Sequence, residues 1–134
     1  LIEFEEKVFC LITDIGHITD TVSSYIARAQ YLVIEANYDE EMLAHGPYPQ
    51  YLKERIMGPN GHLSNKEAAK FLAQNLTEHL KCIWLCHLSR ENNHPELAYK
   101  TVEWELRGVG AIPGKDFYLA ALKRTTPSEL FEFE

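Results

Sequence analysis

The sequence predicts an α/β layered domain, and three observations predict it. Apolar runs of strand length recur along the chain as VFCLI, YLVI and CIWLC, and they suit buried strands. Between them lie segments of helical period with start and stop signals. Strands alternating with helices are the pattern of stacked α/β layers. With 134 residues, 46% of them hydrophobic, the chain can build one compact core, and residues 1–134 are expected to form a single domain.

LIEFEEKVFCLIT reads as two short strands joined tightly around Glu5, Glu6 and Lys7. DTVSSYIARA predicts a helix with Thr19 or Asp20 as N-cap and an apolar face of Val22, Tyr25, Ile26 and Ala29. YLVIEA is the next strand and ends at Glu35. DEEMLAHG is a short helix stopped by Gly46. PYPQYLKERIMG is a further helical segment, and GPNGH is a loop. SNKEAAKFLAQNLTEHL is the clearest helix. Ser64 and Glu67 form the S-x-x-E capping box, and Ala68, Phe71, Leu72 and Leu76 share one face. KCIWLCH is a strand. HPELAYKTVEWELRG is a helix with Pro95 in its first turn and Gly108 at its end. DFYLAALKR and SELFEF complete the order as two short strands.

Charge and cysteine usage narrow the function classes. The net charge is −7, and no basic stripe of a free-standing duplex-DNA binder is visible. An acidic chain can still act on phosphates when metal ions supply the positive field. Cys10, Cys82 and Cys86 are odd in number and lie in or beside apolar runs, which suits reduced thiols rather than a disulfide framework. No apolar stretch is long enough to span a bilayer and no signal peptide is recognisable, so a cytoplasmic location is expected. The chain opens inside a strand-like pattern without a Met, which points to something upstream.

Four polar residues share one placement, after a strand or in the loop that opens the capped helix. They are Asp14, Glu35, His62 and His87. In layered α/β folds side chains converge at the carboxyl ends of strands. Aspartate and histidine bind Zn²⁺ or Mn²⁺, and glutamate orients a histidine through its second nitrogen. Each residue also has a plainer use. Asp14 suits a turn cap, Glu35 a solvent-facing strand end, His62 a loop position, and His87 a bond to a backbone carbonyl. Two metal ligands are fewer than a zinc site takes, so residue chemistry alone gives half a site.

TDIGH, IEANYDEEML, NGHLSN and CHLSRENN, in this order and spacing, resemble the carboxyl-terminal half of a metallo-β-lactamase-fold hydrolase of the YycJ (WalJ) family. The resemblance runs from about Phe9 to Phe131, and GPYPQYLKERIMGPNGHLSN is its most specific stretch. It implies one mixed sheet with covering helices, half of an αββα sandwich. It also implies a metal-dependent exonuclease acting on DNA from the 5′ end, with a suggested place in mismatch repair. Carried over by motif, Asp14 would bridge two metal ions, Zn or Mn, and His87 would be the last metal-binding histidine. His62 would protonate the leaving oxygen, with Glu35 orienting it; His17 and Asn37 would line the site. The family's H-x-H-x-D-H motif and a further histidine are absent, and they belong to an amino-terminal half.

From that departure, the chain is expected to be a fragment that neither turns over substrate nor retains its metals. The exposed sheet face would favour a homodimer. Two alternatives remain at this stage: a hydrolase of thioesters or lactones on the same fold, and a non-catalytic dimerisation module.

Overall fold

A computed structural model of the chain describes residues 1–13 and 16–123. Asp14 and the SELFEF segment lie outside the described residues. The elements are β1 (Ile2–Phe4), β2 (Lys7–Ile12), α1 (Asp20–Arg28), β3 (Tyr31–Glu35), α2 (Glu40–His45), α3 (Gln50–Met57), α4 (Asn65–Asn75), β4 (Cys82–Cys86), α5 (Pro95–Gly108) and β5 (Tyr118–Ala121).

The five strands form one mixed sheet in the order β1-β2-β3-β4-β5. β1 and β2 are antiparallel and the other three pairings are parallel. The β1–β2 connection is Glu5-Glu6, both with positive φ, the backbone of a two-residue hairpin turn. Each parallel crossover steps to the next strand in the same direction, which sends the crossover helices to one face. The register confirms it. Cys10, Leu32, Ile83 and Leu119 are cross-strand neighbours, as are Ile12, Ile34, Leu85 and Ala121. These residues join Ile26 and Ala29 of α1 and its C-cap, Ala68, Phe71 and Leu72 of α4, and Ala98, Val102 and Leu106 of α5 in one core.

Strand residues of the other parity face away from that core. Phe9, Tyr31, Cys82 and Tyr118 form one row, and Leu11, Val33, Trp84 and Ala120 the next. Tyr31 stacks on Trp84 with ring centroids 6.5 Å apart, while Leu11 is exposed. Cys82 and Cys86 lie on this side, half-buried, and no disulfide joins the three cysteines. No helix among the described residues is long and apolar enough to cross a membrane.

Two sequence expectations change in detail. Tyr25 is exposed rather than part of the buried face of α1. The helix expected over 64–80 ends at Asn75. There the Asn75 side-chain amide donates to the Phe71 carbonyl, and Leu76 turns extended.

Candidate active site

Parallel pairing brings the carboxyl ends of β2, β3 and β4 to one edge, and Glu35 and Cys86 are cross-strand partners at that edge. The Glu35 carboxylate is completely buried. A buried carboxylate is costly unless donors satisfy it. Here Oε1 contacts the Nδ1 atoms of both His62, at 2.8 Å, and His87. Oε2 accepts the Leu63 backbone N–H at 3.2 Å. The solvent-facing use of Glu35 is therefore excluded: the strand's second face is interior at this end.

His87 follows β4 directly and has φ of 55°, in the left-handed region that few non-glycine residues adopt. The Asn37 side-chain amide donates to the His87 carbonyl at 2.8 Å and holds that turn. His62 sits in the tight loop between α3 and α4. Its N–H donates to the Ile56 carbonyl at 2.9 Å, and the chain passes so close there that a Cβ on Gly61 would overlap Ile56 and Arg55 carbonyl oxygens. Two residues on, Ser64 starts α4 with the expected capping box, and its hydroxyl also donates to Glu40 Oε1 at 3.0 Å.

The His62 and His87 rings meet edge to face with centroids 5.2 Å apart. His87 is the more open, with 45% of its side chain exposed against 29% for His62. An ionised carboxylate only accepts, so Nδ1 of each ring carries the hydrogen that faces Glu35. Donor atoms of Glu35, His62 and His87 lie within 4.8 Å of one another, so this group could hold a metal ion. That donor set includes His62, for which the resemblance implies proton transfer to the leaving oxygen. Nearby, burial first, then the Glu67 and Glu40 carboxylates, push the Tyr38 hydroxyl well above its ordinary pKa.

His17 stands apart from the histidine pair. It is exposed, and its Nδ1 lies 3.0 Å from the Pro59 carbonyl in the loop that carries His62. A Cβ on Gly16 would overlap the Gly58 and Pro59 carbonyls, so glycine is what lets the segment after Asp14 lie against this loop. Glu35, Asn37, His62 and His87 thus come together, and His17 contacts the loop that carries His62. Sequence reasoning missed Asn65 and Asn93. Both are buried behind the site, and their side-chain amides bond each other.

No protein-family model and no solved structure matches the chain. It is 38% identical over 128 residues to Exodeoxyribonuclease WalJ of Streptococcus pneumoniae, in both strain D39 and strain R6. It is 38% identical over 124 residues to Exodeoxyribonuclease YycJ of Bacillus anthracis. The alignments take in 96% and 92% of the chain but 48% and 47% of the relatives. The chain spans about half the length of the curated relatives it matches. Its five-stranded mixed sheet, with α1, α4 and α5 packed on one face, fits half of a metallo-β-lactamase fold.

Proposed function

Because the chain is a WalJ/YycJ-like sequence over nearly its whole length, we propose that it supplies one half of the active site of a metal-dependent exodeoxyribonuclease. The substrate is DNA, degraded from the 5′ end by hydrolysis of its phosphodiesters. An amino-terminal half provides the remaining ligands. The observation that carries this is the buried Glu35 carboxylate gripping His62 and His87 at once. Such a carboxylate–histidine pair fixes the tautomer and raises the basicity of the outer nitrogen.

Asp14 and His87 would hold the divalent cations, Zn or Mn. When bound, two such ions supply the positive charge that phosphodiester hydrolysis needs and lower the pKa of water towards neutrality. His87, with Nδ1 on Glu35, offers Nε2 as ligand. His62, also anchored through Nδ1, gives the Nε2 proton to the departing oxygen, and the Glu35 carboxylate stabilises the imidazolium beforehand. Asn37 and His17 line this rim. An alkoxide leaving group benefits from a proton donor, which favours a phosphodiester over a thioester. On this reading the 134-residue chain alone is inactive and holds metal weakly. The amino-terminal half as partner, and a homodimer of the isolated chain, belong to the same reading. A cytoplasmic location belongs to the same reading.

The test uses the full-length protein. His62→Ala is expected to lower turnover by roughly 10²- to 10⁴-fold with metal content nearly intact. Asp14→Ala is expected to lower both. Full activity in His62→Ala would remove the acid from the scheme.

A further inference from the structure

The loops that carry Glu35, His62 and His87 are fastened behind the site by asparagines that the chemistry above does not use. We propose that Asn93, paired with Asn65 and assisted by Asn37, positions His62 against His87; its kinetic consequence rests on the nuclease reading.

Asn93 and Asn65 are both buried, and their amides face each other. Each Nδ2 donates to the other's Oδ1 at 2.8 Å. Asn93 Nδ2 also lies 2.9 Å from the Ala36 carbonyl and 3.1 Å from that of Asn37. Its two hydrogens therefore serve three acceptors. Its Oδ1 additionally accepts the His94 N–H at 2.8 Å. One side chain thereby ties the residues just beyond Glu35, the first residue of the helix that follows His62, and the loop that follows His87.

Backbone bonds extend the same junction. Asn37 N–H donates to Leu63 O at 2.9 Å, and Ser89 N–H donates to Asn37 O at 2.7 Å. Asn37 finishes the connection through its own amide on the His87 carbonyl, at the residue with left-handed φ. Only a short carboxamide offers a donor and an acceptor together at these distances without charge. An aspartate at 93 would set a carboxylate oxygen against two backbone carbonyls. Fully satisfied buried polar networks rigidify and specify one arrangement, and a histidine pair that shares one carboxylate oxygen needs such an arrangement.

The test reads the rings directly. In full-length protein labelled with ¹⁵N-histidine, the His62 and His87 signals are expected to show protonated Nδ1. Asn93→Ala should weaken that signature at both rings while the remaining spectrum keeps its dispersion. It should also lower kcat by roughly 10²-fold at nearly constant KM, as misplacement of reacting groups does. A folded Asn93→Ala protein with unchanged ring signals would overturn the proposal. If Asn93→Ala fails to fold, Asn37→Ala removes only the bond to His87. It should move the His87 ring signals, and unmoved signals would overturn the proposal equally. Shifted rings in a protein whose parent cuts no DNA would sink the nuclease reading and support the positioning role.

Discussion

Glu35 shows how much one side chain can depend on its donors. Its carboxylate receives two imidazoles on one oxygen and a backbone N–H on the other. Glu35→Gln keeps the shape but replaces one acceptor with an NH₂ group. With the NH₂ group towards Leu63 a donor faces a donor; turned the other way, it forces the histidines out of the tautomer with hydrogen on Nδ1. A buried donor left unsatisfied costs about 1–3 kcal/mol. Thermal or denaturant unfolding of Glu35→Gln should therefore show a loss of that size, and unchanged stability would contradict the bonding described here. By residue chemistry alone Glu35 is a carboxylate at a strand end, and only the resemblance implies that it orients His62. Alternation could not say whether its face met solvent, because that depends on which helices cover the sheet. Asn65 and Asn93 were less legible still. An asparagine beside a helix cap or in a loop is ordinary, and only the fold brings two of them amide to amide.

Elements with strong local signals were legible, and α4 shows both the reach and the limit. Ser64 and Glu67 marked its start, and the capping box is present. Leu76 continues the apolar period in the sequence, yet its backbone is extended and the helix stops at Asn75. The cap also matters for the site, since the loop residue His62 immediately precedes Leu63 and Ser64. Ser64 is fully buried, and its hydroxyl accepts from Glu67 N–H and donates to Glu40. Ser64→Ala should cost about 1–2 kcal/mol, the upper part of the range for a lost N-cap, read as a lower denaturant midpoint at constant slope. A midpoint equal to the parent's would mean that the cap holds nothing. The β1–β2 hairpin is legible from two strand-like runs around a polar connection at Glu5, Glu6 and Lys7. Its Glu5-Glu6 turn lacks the Asn-Gly chemistry that usually signals positive φ at both positions.

On the scale of the whole molecule, strand–helix alternation was enough to foresee the layered sheet, but not that its helices gather on one face. On the other face Leu11 is exposed, whereas Tyr31 and Trp84 are buried. The site edge holds a buried carboxylate and two histidines, and the sequence contains no H-x-H-x-D-H motif. The absent motif agrees with a chain that spans about half of its relatives. The most direct measurement is degradation of end-labelled, 5′-phosphorylated DNA by the full-length protein with Zn²⁺ or Mn²⁺, comparing the parent with His87→Ala. Progressive loss of nucleotides from the 5′ end by the parent, abolished by His87→Ala and by a chelator, is the expected result. A parent that leaves the DNA intact while hydrolysing a thioester or lactone, or a His87→Ala protein that cuts as fast as the parent, would contradict it.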